Sequence, residues 1–400
     1  MAVLDGVKVL ELAEFGFVPS CGAILADWGA DVVKVERPQG DPLRMVQRAG
    51  LVADTGDFQL LWEQINRNKR GITIDLRHDD GRAALDQLLE WADVLITSFL
   101  PSSRRRLTIE PEDVWKINPR LVYARGHGQG QAGPDADNGG FDSVSYWARG
   151  GLAHVLTPAE GPLIMQRAAM GDGPAGAFLA GGVAAALYQR EKTGVGSIVD
   201  VSLLGTAVWT LAPDLVTTSI LGAAPPPIDS SAPLSSALIG THRTRDGRWL
   251  MLNMMDDTRH WAPLCRALGL TDLIDRPEYA DTGARSENRA SLHEAITEAI
   301  AARDLADLRP ALLAEDTIWS AMATPEEVVA DVQVEANGYL ASHPDHARAR
   351  LAAGPCQFDG DHLVIRRRAP HAGEHTAEVL AEAGFDAAAI EDLRSAGALG

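Results

Sequence analysis

Val7-Lys8-Val9-Leu10-Glu11-Leu12, Pro19-Ser20-Cys21-Gly22-Ala23-Ile24-Leu25-Ala26-Asp27-Trp28 and Asp31-Val32-Val33-Lys34-Val35 are the stretches that decide the fold. The first and third read as buried strands and the second as a helix that Gly29 ends. Strand, helix and strand at this spacing make a βαβ unit. The glycine fingerprint GxGxxG is missing, since Gly16 and Gly22 do not supply it, so nothing supports a nicotinamide or flavin role.

Outward from this unit the alternation continues. Strands are predicted over 72–76, 93–98 and 120–125, and helices over 80–91 and 101–107. Residues 126–140, rich in Gly, Gln, Pro and Asp, read as a long loop, and loops of that length are often functional. A small-residue helix runs from Asp172 to about Lys192 and stops at Gly194, followed by a strand over 197–203. The fold class is therefore α/β, a Rossmann-like layout with a parallel sheet covered by helices.

Length and composition bound the rest. A chain of 400 residues favours two domains. Composition shifts to Ala, Pro and Ser near 222–233, which reads as a linker. A hairpin over 241–253 turning at Asp246-Gly247 follows, then helical sequence over much of 258–314. Another linker-like region lies near 336–357, and the tail over 374–399 reads as helical. The formal charge is −19, with 36 basic and 55 acidic residues. That disfavours nucleic acid or an anionic membrane as partner of the whole surface, so an anionic substrate needs a local basic patch. Three separated cysteines, Cys21, Cys265 and Cys356, give neither a disulfide framework nor metal-ligand spacing. They point to a reducing cytoplasm and to no metal. Neither a signal peptide nor an apolar stretch of membrane-span length is legible.

Two features carry chemistry. Gly171-Asp172-Gly173-Pro174 heads the small-residue helix, with Asp172 read as the N-cap. A carboxylate there meets free N–H groups and the positive end of the helix dipole, so it is expected to stay ionised. Such a group is either an ordinary capping aspartate or a carboxylate nucleophile. Basic residues also stand at strand ends: Arg37, Arg77 and Arg104-Arg105-Arg106. Ligands of open α/β sheets bind beyond those ends, and arginines gathered there suit phosphate. Either they form such a site or they are solvated surface charges. His127, in Gly126-His127-Gly128, is read as a loop histidine, either structural or an acid–base group.

The chain resembles the class III CoA-transferases, the family that includes formyl-CoA transferase and α-methylacyl-CoA racemase. The likeness rests on segments in matching order: residues 4–12, 25–37, 40–44, 68–76 and 92–96, Gly171-Asp172, residues 194–203 and residues 369–376. The resemblance implies an acyl-CoA donor, a carboxylic acid acceptor and an aspartyl-CoA thioester on Asp172. It carries CoA contacts to Arg37, to Ile74, Asp75, Leu76 and Arg77, to Ser98, Phe99 and Leu100, and to Arg106. It places Gly16 and Phe17 near the thioester and counts them, with Gly140, Phe141 and Asp142, among the CoA-binding residues. It also implies glycine N–H groups near Asp172 for a developing oxyanion.

The chain departs from the family at informative places. Ser98 replaces an asparagine, and the glutamine of formyl-CoA transferase is missing after Gly16. Racemases carry Gly-His-Asp where this chain has Gly140-Phe141-Asp142, and phenylalanine moves no proton. Transferase is favoured on that ground; racemase, and a CoA-binding protein without chemistry, are the alternatives. Tyr146-Trp147-Ala148-Arg149-Gly150-Gly151 after Phe141-Asp142 is similar to transferases of bulky or aromatic acids. The family plan implies an interlocked homodimer, with each site between the large domain of one chain and the small domain of the other. Here that means a large CoA-binding domain over 1–221, a linker over 222–235, a small domain over 236–335, a return linker over 336–357 and a C-terminal segment, 358–400, rejoining the large domain.

Overall fold

The computed structural model describes residues 2–50, 52–158, 161–225 and 236–400. The chain divides into two compact units: Met1–Pro226 with Val332–Gly400, and Pro227–Asp331. The first opens with β1 (Lys8–Leu12), α1 (Phe17–Asp27), β2 (Asp31–Glu36), α2 (Leu60–Asn66), β3 (Arg70–Thr73), α3 (Asp79–Trp91), β4 (Val94–Thr97), α4 (Pro101–Arg106), α5 (Pro111–Ile117) and β5 (Val122–His127). A π-helical segment, Asp142–Ala148, and α6 (Leu152–Leu156) lead to α7 (Asp172–Thr193), β6 (Ile198–Ser202), α8 (Leu203–Thr210) and α9 (Ala212–Leu221). The second unit holds β7 (Ile239–Arg243), β8 (Trp249–Asn253), α10 (Asp257–Leu268), α11 (Thr282–Glu287), α12 (Arg289–Ala301), α13 (Leu305–Ala314), β9 (Trp319–Ala321) and α14 (Pro325–Val329). The chain then returns through α15 (Val332–Ala336), β10 (Leu340–Ser342), β11 (Arg350–Ala352), α16 (Thr376–Glu382) and α17 (Ala387–Ser395).

Six parallel strands form one sheet in the order β3-β2-β1-β4-β5-β6. The order reverses between β1 and β4, which opens a crevice beyond their carboxyl ends. Both faces are covered, which is why the strands are near-continuous apolar runs. On one face Val9, Val32, Ile96 and Ala124 pack against α1 and α7. On the other, Leu10, Val33, Ile72 and Leu95 pack against α3, α16 and α17.

Boundaries differ from expectation for physical reasons. Helix α1 starts at Phe17, because Pro19 sits within its first turn rather than at its first position. Strand β3 ends at Thr73; beyond it Ile74 bridges to Leu399 and Asp75 N–H donates to Ala398 O, so the tail takes over the pairing. The region near 336–357 is not irregular throughout: β10 and β11 form an antiparallel pair within it. The linker expected over 222–235 lies, from residue 226 on, outside the described residues. The hairpin turning at Asp246-Gly247 is β7–β8. No single described helix is long and apolar enough to cross a membrane.

Candidate active site

Two places at the carboxyl ends of the strands are shaped to receive a ligand. The first is a cavity of about 220 Å³ lined by Ala13 and Glu14 after β1, Arg37 after β2, Ile74, Asp75, Leu76 and Arg77 after β3, and Phe99 and Arg106 after β4. Of the contacts expected between Arg37 and Arg106 it gathers all but Ser98 and Leu100. Ser98 Oγ instead accepts a hydrogen bond from Glu14 N–H at 3.0 Å, and Leu100 is the N-cap of α4. The arginine run does not act as one cluster. Arg104 is fully buried and turned to Glu110, Phe99 O and Gln131, and Arg105 pairs with Asp137. Arg106 alone of the three lines the cavity. Arg77 grips Asp75 through two bonds of 2.9 Å, and these hold the Asp75 carboxyl below its usual range. Arg37 lies over Glu14 at 3.5 Å with its side chain half exposed.

The second place surrounds Asp172. Gly171, not Asp172, is the N-cap of α7, because the first helical bond runs from Ala175 N–H to Gly171 O. Asp172 is thus the first residue of the helix, and its carboxyl makes no capping bond. Gly16 is pressed against it: a Cβ at Gly16 would stand 2.1 Å from Asp172 Oδ2. The Tyr146 ring also lies against Gly171, where a Cβ would fall 2.6 Å from the ring. Buried Asp142, from the π-helical segment, accepts a hydrogen bond from Gly171 N–H at 3.4 Å. The expectation of a carboxylate held ionised is corrected here. Burial, and then the Asp142 charge, push the Asp172 pKa up to about 7. The flanking glycine N–H groups are also engaged, Gly171 with Asp142 and Gly173 with Ala169 O, and are not open oxyanion donors.

Phe15 and Phe141 close this place from two loops, edge to face at 5.0 Å, and Phe141 is half exposed. Gly140 is required where the loops cross: a Cβ there would meet Ser145 Oγ at 2.3 Å. The structure therefore assembles Gly16, Phe141 and Asp142 with Asp172, while Phe17 points into the core against Gly126. His127 is not a loop residue. It ends β5, is buried, and its Nε2 lies 3.3 Å from Asp200 Oδ1. Arg125 takes the same carboxylate, so burial of Asp200 is outweighed and its pKa falls to about 2.

Two features of the site escaped sequence reading. A cavity of about 590 Å³ runs between α1, α2, α7 and the strand end after β11, lined by Ala23, Ile24, Ile65, Gly173, Pro174, Ala177 and Phe178. Its polar neighbours are engaged elsewhere, Arg67 with Asp27 and Gln64 with Ala352. The other is a buried ion network of Glu11, Lys34, Asp41 and Lys69 behind the Gly16 turn. Burial works against the Lys34 charge, but Asp41 and Glu11 hold its ammonium above the usual range. Removing one partner from such a pair typically costs about 3–5 kcal/mol. Polar residues inside an apolar strand were the only sequence signal for it.

Residues 4–376 match the model of CoA-transferase family III. The chain is 28% identical over 399 residues to (R)-2-hydroxy-4-methylpentanoate CoA-transferase of Clostridioides difficile, covering 98% of each chain. It is 30% identical over 396 residues to cinnamoyl-CoA:phenyllactate CoA-transferase of Clostridium sporogenes, covering 98% of this chain and 96% of the other. Among solved structures it is similar to a CAIB/BAIF family protein from Brucella suis, with a TM-score of 0.80 and 29% identity over 96% of this chain and 99% of that one.

Proposed function

The chain belongs to CoA-transferase family III, and on that footing we propose that it moves CoA from an acyl-CoA to a carboxylic acid through Asp172, with a bulky or aromatic acyl group. The observation that carries this reading is the setting of Asp172, a largely buried carboxylate at the head of α7 between Gly16 and Asp142. The Asp172 carboxylate attacks the thioester carbonyl and releases CoA thiolate, leaving a mixed anhydride. The thiolate attacks the aspartyl carbonyl, expels the first carboxylate and leaves an aspartyl-CoA thioester. The acceptor carboxylate reverses both steps and departs as its CoA thioester. Arg37 and Arg106 are suited to the phosphates of CoA, and Leu76 and Phe99 to its adenine. Racemisation is disfavoured because Phe141 supplies no base and His127 is tied to Asp200.

The relatives named above act on 2-hydroxy-4-methylpentanoate and on cinnamoyl and phenyllactate groups. The cavity of about 590 Å³ that begins one residue after Asp172 is large enough and apolar enough for groups of that kind. Filling it tests this: Ala177→Phe should lower kcat/KM for branched and aryl donors by about 10–100-fold. Acetyl- and propionyl-CoA should stay within about threefold of wild type. Equal losses for all donors would place the acyl group elsewhere. A homodimer, interlocked as in the family plan, completes the reading. Exposed Trp209, Ile220 and Leu221 on α8 and α9 are suited to cover by a second copy.

The deciding experiment is intact-protein mass spectrometry after mixing with aliphatic and aryl acyl-CoAs. A hydroxylamine-sensitive CoA adduct is expected on the wild type and none on Asp172→Ala. No adduct with any donor, together with exchange of the α-proton in D₂O, would replace the transferase by a racemase.

A further inference from the structure

The turn that covers Asp172 is made of residues 13–16, and side chains from distant parts of the sheet hold its backbone. Lys34 Nζ donates to Ala13 O at 2.7 Å. Ser98 Oγ accepts from Glu14 N–H at 3.0 Å. Asp41 Oδ1 accepts from Phe15 N–H at 3.2 Å. Behind the turn, Lys34 joins Asp41 at 2.9 Å and Glu11 at 3.0 Å, and Glu11 joins Lys69 at 2.8 Å. Lys69 in turn donates to Pro19 O in α1 at 2.8 Å.

Phe15 needs this support. Its φ is +64°, a left-handed conformation that a residue with a side chain keeps only when its surroundings enforce it. The next residue, Gly16, lies against the Asp172 carboxyl. The Phe15 ring meets Phe141, whose neighbour Asp142 is the charged group acting on Asp172. A buried ion pair gains little over apolar packing, so stability alone is a weak reason for four charges here. Three of the four charged groups donate or accept at the backbone of this turn or of α1.

We propose that Lys34 and Asp41 are positioning residues for Asp172: through Ala13 O and Phe15 N–H they hold the Phe15–Gly16 turn down on the reacting carboxylate and keep water from it. The proposal rests on Asp172 as the reacting group, but its test does not require activity. The probe is the carboxyl ¹³C titration of Asp172 in aspartate-labelled full-length protein, assigned with Asp172→Asn.

In Asp41→Ala the turn loses its anchor, and the Asp172 midpoint should move from near 7 toward the ordinary carboxylate range. Asp41→Asn keeps an acceptor oxygen for Phe15 N–H and should titrate close to wild type. In transfer assays Asp41→Ala should lower kcat more than tenfold. An unchanged Asp172 midpoint in folded Asp41→Ala overturns the proposal. Should that variant fail to fold, Lys34→Met removes the donor to Ala13 O, and an unchanged midpoint there overturns it equally. A midpoint that follows Asp41 in a protein with no transfer activity supports the positioning role and removes the transferase reading instead.

Discussion

Replacing Asp172 by asparagine is expected to lower CoA transfer by on the order of a thousandfold or more and, above pH 7, to make the protein more stable. The two effects share one cause. The native carboxyl holds its proton up to about pH 7, because burial and Asp142 oppose its charge. An unfolded aspartate releases its proton near pH 4. Between those values the native state binds more protons than the unfolded chain, so wild-type stability falls as pH rises from about 4 to about 7. Above pH 7 the loss is complete. Its ceiling is about 4 kcal/mol, and partial exposure of the residue reduces it to about 1–3 kcal/mol. Asparagine carries no charge to bury, so its advantage should be absent at pH 4 and full at pH 8. Denaturant unfolding at both pH values measures it. Wild-type kcat/KM should rise with pH through a midpoint near 7, as the proposed nucleophile Asp172 ionises in the free enzyme. A variant no more stable at pH 8 than at pH 4 would show that the carboxylate is not held against its charge.

Gly16→Ala carries the second large effect, and it should separate catalysis from stability. The added methyl would stand 2.1 Å from Oδ2 and 2.9 Å from Cγ of Asp172. Those atoms end a short rotatable side chain, so the clash is relieved by turning the carboxyl aside, at about 1 kcal/mol or less of stability. The carboxyl then no longer points where a thioester carbonyl must arrive. Misplacement by about 1 Å costs on the order of a hundredfold in rate. We expect kcat to fall by that factor, with little change in the affinity for CoA, whose expected contacts lie at the separate cavity of Arg37 and Arg106. Transfer kinetics beside CoA titration calorimetry check this. Wild-type kcat in Gly16→Ala would mean that the Asp172 carboxyl works from another orientation.

The sheet was legible because its strands are buried on both faces, so Val7–Leu12 and Asp31–Val35 stand out as apolar runs between glycine stops. The small residues of α7 were legible for a similar reason: close packing on α1 admits nothing larger at Gly176, where a Cβ would meet Ser20 at 2.7 Å. Asp172 itself was legible as a position, but its ionisation was not. The group that opposes its charge, Asp142, comes from a π-helical segment 30 residues earlier, and no local pattern announces that fold-back. His127 was misplaced because glycines on either side imitate a loop, whereas pairing with β6 carries the strand through to it. Lys34, Asp41 and Phe15 were hidden because what they do depends on each other's placement across the sheet.

The outer edge of β3 is finished by the tail. Gly71 N–H donates to His375 Nδ1 across 304 residues of chain, Thr73 N–H donates to Thr376 Oγ1 across 303, and Ile74 bridges to Leu399. On a ribosome adding about 5–20 residues per second, that edge waits roughly 15–60 s for its partners. Meanwhile Pro227–Asp331, continuous in the chain, can close its own core. The half-made first unit presents bare strand groups beside uncovered Ile72 and Ile74, the arrangement most prone to pairing with a neighbouring nascent chain. Until the tail arrives, this edge, at the far side of the sheet from Asp172, is the part of the first unit most in need of shielding.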